Sequence, residues 1–201
     1  MATTLDVVNE CLATLGEAPL NTLLEPHEFK GSAQKALARA NRRIQGKGWW
    51  CNTETATFAP APVTGFIQLP GDCLKWQSNV RSADTLVRYQ PKPWLVERGL
   101  RLYDTRTRTY LITEEVTGEL VREVPFEQLP AVLNDYIAAE AVLRFQSNFD
   151  ADNNKRQELT QALAICRMEA VAEQTRQSAV NMINNNTRLS RIKAVTRRLR
   201  Y

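Results

Sequence analysis

Residues 34–52 read QKALARANRRIQGKGWWCN. Leu37, Ala40 and Ile44 recur at helical spacing, so one face of this segment is apolar. Arg39, Arg42 and Arg43 fall largely elsewhere on the wheel and are expected in solvent. Gly46 supplies a stop, because the residue past a helix end often needs a positive φ. Trp49 and Trp50 then open an extended segment and offer a large apolar area to whatever packs above them. Gly46, Gly48, Trp49 and Trp50 therefore predict a helix-to-strand corner built on a core tryptophan. A structural role is the plain reading of that corner, and it is compatible with a functional one. A core would nucleate here, between a helical layer before the corner and a β layer after it.

Working outward toward the N-terminus, the spacing predicts a first helix over 3–15. Thr3 and Asp6 have capping-box-like spacing, and Leu5, Val8, Leu12 and Leu15 form one stripe. Gly16 ends it, a loop with Pro19 and Pro26 follows, and the second helix starts between Glu28 and Ser32 and ends at Gln45. After the corner the period changes. Prolines at 60, 62, 70, 91, 93 and 125 punctuate short strand-like runs: 53–58, 65–69, 74–80, 85–89, 94–97, 100–103, 110–113 and 120–123. Many short strands with frequent turns suggest a small antiparallel sandwich or barrel.

The helical period returns near Gln128, with Pro130 in the first turn. Leu133, Ile137, Ala141 and Phe145 form one row, widened by Val132, Tyr136 and Leu143. Asp150 or Asp152 caps a further helix whose stripe is Leu159, Leu163, Cys166 and Ala170, reaching toward Ile183. The short polar connection between these two helices makes them antiparallel neighbours. Past Asn184–Asn186, a last amphipathic helix puts Leu189, Ile192, Val195 and Leu199 on one side. Arg188, Arg191, Lys193, Arg197, Arg198 and Arg200 crowd the rest. The expected class is α+β: a helical bundle with an inserted antiparallel β-sandwich or barrel-like region. By domain, 1–48 with 129–184 is helical, 49–128 is the β insert, and 185–201 is a basic tail.

The chain has 201 residues, of which 43% are hydrophobic and 24% charged, an ordinary globular balance for one domain or two small ones. No apolar run approaches the roughly 20 residues that span a bilayer, and the opening MATTLDVVNE has no basic patch before an apolar stretch, so no signal peptide is expected. The net charge of +4 is uneven: removing the six bases from Arg188 onward leaves 20 bases against 22 acids, a body of −2. The basic balance thus describes a tail and not a general nucleic-acid surface. Four widely spaced cysteines and one histidine, His27, exclude a zinc cluster pattern and suggest reduced thiols. Gly46-Lys47-Gly48 lacks both the dinucleotide-loop and P-loop spacings. Glu114 and Glu115, adjacent on a strand, would point to opposite faces. No catalytic, cofactor-binding or metal-binding constellation is expected, so an enzyme is the least supported class. The tail is either a frayed end or a docking helix that orders against an acidic or apolar surface of another subunit. The alternative is a small nucleic-acid-binding module acting through that tail.

Several motifs resemble a known family. Val8-Asn9, Leu12-Ala13, Leu15-Gly16-Glu17, Pro19 and Thr22-Leu23 resemble the opening of tail tubular protein A of podovirus-type short-tailed phages. Ile44-Gln45, Lys47-Gly48-Trp49 and Asn52 are similar to that family's next motif. Phe66-Ile67-Gln68-Leu69-Pro70 and Leu102-Tyr103-Asp104 are similar to its β region. The second half agrees mainly in helical pattern. The resemblance implies a structural virion protein, one of twelve copies in an adaptor or gatekeeper ring between the portal and the tail nozzle. It implies DNA passing through the channel without sequence-specific binding, and tail fibres attaching near the junction. It also implies a homo-oligomer, with a monomer in solution allowed, placed in the tail neck after assembly in the host cytoplasm. The helices would build the ring and the β insert would face outward or toward the nozzle. The basic tail has no counterpart in these motifs, so its partner is open.

Overall fold

A computed structural model of the chain describes residues 2–78, 92–150 and 152–185, with side chains through Gln177. The expected strand over 85–89 and the whole basic tail, with Arg188, Leu189, Arg191, Ile192, Lys193, Val195, Arg197, Arg198 and Leu199, lie outside the described residues. The chain is mixed α+β, with helices α1 (Thr4–Thr14), α2 (Lys30–Gln45), α3 (Ala131–Phe149) and α4 (Asn153–Asn185) and strands β1 (Thr53–Phe58), β2 (Cys73–Gln77), β3 (Leu95–Arg98), β4 (Arg101–Asp104) and β5 (Val116–Arg122).

Helix α3 is the spine. Leu133, Ile137, Ala141 and Phe145 repeat at four-residue spacing and are all fully buried. Around them pack Val7, Val8, Cys11 and Leu12 of α1, Ala33, Leu37, Ala40 and Ile44 of α2, and Leu159, Leu163, Cys166 and Ala170 of α4. The alanines of α2 let its backbone come close to its neighbours.

Local chemistry sets the helix ends. Thr3 and Asp6 form the expected capping box: the Thr3 hydroxyl accepts the Asp6 amide at 3.2 Å, and the Asp6 carboxylate accepts the Thr3 amide at 2.8 Å. Gly16 follows α1 with φ 77. The third helix begins later than Gln128, because Leu129 precedes a proline and is forced extended (φ −75, ψ 151). Phe126–Gln128 form a separate 3₁₀ turn. Asp152 caps α4, its carboxylate accepting the Asn154 amide at 2.8 Å.

In the β region, β5 is the centre of a three-stranded antiparallel sheet, order β1–β5–β2, and β3 and β4 form a hairpin. Gly118 in β5 lies under the Trp76 indole. A Cβ there would come within 2.5 Å of the ring, so only glycine admits the tryptophan. Ile67, Leu69, Trp76, Leu95, Leu102, Ile112, Val116 and Leu120 make a second core. The runs 65–69 and 110–113 add only the bridges Gln68–Arg101 and, just before the second run, Asp104–Thr109. Asp104 accepts the amides of Arg106 and Thr107, and Arg108 turns with φ 56, so the chain leaves β4 sharply. Apolar side chains of the two runs still reach the core, but as loops. Among the described residues the β region is a small sheet plus a hairpin, and it does not close into a sandwich or barrel.

Candidate functional site

The corner after α2 differs from its sequence reading in two ways. Gly46 caps α2 in the right-handed region (φ −61), and Gly48 carries the positive φ, 78. A Cβ on Gly48 would also press on Thr53 Oγ1 and Val121 Cγ2, at 3.2 and 3.3 Å. Trp49 and Trp50 do not start a strand; they lie in a turn, and β1 begins at Thr53. The cause is Asn52, whose carboxamide oxygen accepts the Trp49 amide at 2.8 Å and holds the turn closed. Trp49 is buried. Its indole N–H donates to the Ile44 carbonyl at 2.8 Å, and its ring meets Trp50 and Tyr136 edge-on at 6.2 and 6.1 Å. Trp50 is half-buried, and its amide donates to Gln174 of α4 at 2.9 Å. The corner therefore touches α3 and α4 at once.

A buried polar joint lies beside it. Gln45 is fully buried and pairs with the Val124 backbone as a strand would: its Nε2 donates to the carbonyl and its Oε1 accepts the amide, both at 2.8 Å. Gln45 Nε2 also donates to Asn41 Oδ1 at 2.7 Å. Asn52 Nδ2 donates to the Arg122 carbonyl at 2.9 Å, and the Arg122 amide donates to the Asn52 carbonyl at 2.9 Å. Helix end, corner and outgoing strand are thus fastened through side-chain amides. Sequence reasoning named Gln45 and Asn52 only as motif residues and missed Asn41 and the joint that the three make. The available signal was Asn41 and Gln45 at four-residue spacing on the otherwise apolar side of α2.

Helix α4 has a different surface. Of its described side chains only Ala170 is fully buried, and the helix is otherwise half-buried or exposed. Ile165, Met168 and Val171 point away from the core and are 53%, 64% and 49% exposed. Together they leave an apolar strip on the solvent side of α4.

The tail tubular protein family matches residues 5–190. The chain belongs to that family. It is a structural component of the podovirus tail, and assembly with other tail components follows from membership. No curated protein matches the chain in sequence.

The remaining chemistry of this tail tubular chain is quiet. Burial is the first cause that raises all four thiols: Cys11 is pushed up to about 12 and Cys73 to about 11, with Cys51 and Cys166 raised as well. Thiols held protonated are poor nucleophiles. Lys92 bonds to Glu114 at 2.6 Å and holds its carboxyl below the usual range. Among the described residues no group of three His, Cys, Asp or Glu side chains is arranged to hold a metal ion, and no helix is long and apolar enough to cross a membrane.

Proposed function

We propose that this chain is the subunit of the adaptor ring joining the portal to the tail nozzle, in the twelve-copy arrangement that the family resemblance implies. DNA passes through the channel without sequence-specific contact, and tail fibres attach near the junction with the nozzle. The helices around α3, residues 1–48 and 129–184, form the ring wall. The β insert, residues 49–128, projects from it toward the nozzle or the outside. The basic tail, residues 185–201, docks on the portal or on a neighbouring copy. Assembly takes place in the host cytoplasm.

The observation that carries this reading is the exposed apolar row of α4, on a helix of 33 residues, about 50 Å long. A rotationally symmetric ring needs two unlike faces on each subunit, and a long, partly apolar helix suits one of them. The corner supports it mechanically, because Trp50 and Gln174 tie α4 to the start of the β insert. Mixing the purified chain with its phage portal and imaging the product by electron microscopy tests the reading. A closed ring seated on the portal is expected; absence of any complex overturns it. A free chain that binds duplex DNA with a steep salt dependence, and no portal, would favour the nucleic-acid module instead.

A further inference from the structure

Two faces of opposite sign flank α3. Arg144 follows Asp135 by nine residues, about two and a half turns, so the two side chains leave opposite sides of the helix. On the Arg144 side α2 runs antiparallel to α3, with Phe29 edge-on to Phe149 at 5.3 Å near one end and Arg43 bonded to Glu140 at 2.5 Å near the other. Between these contacts Ser32, Lys35, Arg39, Arg144 and Asn148 line a cleft of about 240 Å³, closed by Phe149. Glu140 accepts from both Arg43 and Arg144, the latter at 2.7 Å. Lys35 and Arg39 are exposed and form no ion pair with any described residue. The cleft therefore has surplus positive charge and an apolar end.

On the Asp135 side the sign is reversed. Glu10 of α1, Asp135 of α3 and Glu169 of α4 are all exposed, on three helices packed around one core. Asn134, next to Asp135, bonds to Ala2 just before α1, and Glu169 lies about one turn past Cys166, which packs on that core. The same three carboxylates raise the Cys166 thiol after burial has done so. Glu10 is exposed but partly enclosed, and that enclosure first, then Asp6 and Asp135, raise its carboxyl above its ordinary range. Neither Glu10, Asp135 nor Glu169 forms an ion pair with any described residue. Ile165 and Met168 of α4 lie beside Glu169 on its solvent side. Each face is thus an apolar element with charges at its edge, the anatomy of a protein interface. Each face also presents the charge that the other lacks.

We infer that the acidic edge of one copy, Glu10, Asp135 and Glu169, seats on the basic cleft of the next, Lys35, Arg39 and Arg144. This rests on the ring reading above and names its head-to-tail contact. Two different patches on opposite sides of one helix pair heterologously, so the contact repeats from copy to copy and closes when the rotation closes. A second copy is a better occupant for the cleft than duplex DNA, because its acidic edge brings both opposite charge and the apolar side chains Ile165 and Met168 to the apolar end of the cleft.

Charge reversal tests the contact on the full chain, alone and with portal present, by sedimentation velocity at low salt. One variant is Lys35→Glu with Arg39→Glu, leaving both faces acidic. The other is Glu10→Lys with Asp135→Lys, leaving both faces basic. These are exposed positions, and unchanged melting confirms folding. Wild-type association is expected to weaken as salt rises through about 0.15 M. Each variant alone should associate at least about tenfold more weakly than wild type, and the equimolar mixture should recover it. Variants that assemble like wild type, or a mixture that stays monomeric while wild type assembles, overturn the contact and leave the ring reading standing. Wild type that forms no complex with itself or with portal overturns both. Loss of duplex DNA binding in the first variant with assembly intact would overturn the contact too, by making the cleft a phosphate track.

Discussion

Helices α3 and α4 pack side by side in one molecule, yet their surfaces differ sharply. The row Leu133, Ile137, Ala141 and Phe145 of α3 is wholly buried, and even polar Asn134 and Gln146 are fully covered. Helix α4 is the longer, yet Ala170 is its one fully buried described side chain, and Ile165 and Met168 are more than half exposed. A helix enclosed by its own chain serves the fold. A helix that leaves apolar side chains in solvent serves contacts the single chain does not make. Under the ring proposal, that division separates the folding unit from the assembling surface.

The comparison breaks most readily at α3. Phe145→Ala should cost about 3–5 kcal/mol in urea unfolding, because a fully buried aromatic leaves a cavity. A loss under about 1 kcal/mol would show that α3 is not the spine. Trp49→Ala should cost a similar amount, since it removes the ring that bridges α2 and Tyr136.

The polar joint comes next. Gln45→Leu keeps most of the volume but strands the Val124 amide and carbonyl and Asn41, at about 1–3 kcal/mol per buried orphan. Thermal unfolding that matches wild type would mean that water replaces the side chain there. Gly48→Ala should lose roughly 1–2 kcal/mol from its positive φ, whereas Gly71→Ala, with open space around it, should lose less. Equal losses would remove the reason for the corner's shape.

Smaller effects sharpen the α4 side. Ile165→Asp with Met168→Asp should leave the unfolding free energy within about 0.5 kcal/mol of wild type while abolishing incorporation into assembled tails. A clear stability loss would place those side chains in the fold and not in an interface.

The thiols give the mildest signal. Cys11 rises to about 12 from an ordinary value near 9, so the folded state disfavours its ionisation. Its contribution is whole below about pH 9 and is lost as pH rises toward 12, the direction expected for a folded-state pKa that is raised. Melting temperature followed from pH 8 upward should fall more steeply in wild type than in Cys11→Ala.

Much of this was readable from the letters alone. The α3 row is visible because four apolar residues recur every fourth position, and the capping box because Thr3 and Asp6 sit at the spacing the hydrogen bonds need. The corner was found by its glycines and tryptophans, but the positive φ fell on Gly48, since sequence does not say which of two nearby glycines turns. The bonding roles of Gln45 and Asn52 were invisible because their partners lie 79 and 70 residues away. Pairing at that separation has no local pattern. The strands expected at 65–69 and 110–113 have apolar spacing without a ladder: burial sets the first, and ladder geometry the second. The apolar residues of α4 outside its core-facing stripe drew no notice, because an exposed face shows as such only against the packed fold.

Helix α4 should face a neighbouring chain in the assembled tail. A side-chain-resolution electron microscopy reconstruction of the isolated neck tests it directly. A closed ring in which Ile165 and Met168 are covered by another subunit is expected. A ring with those side chains in open solvent, or a complete neck lacking this chain, would contradict it.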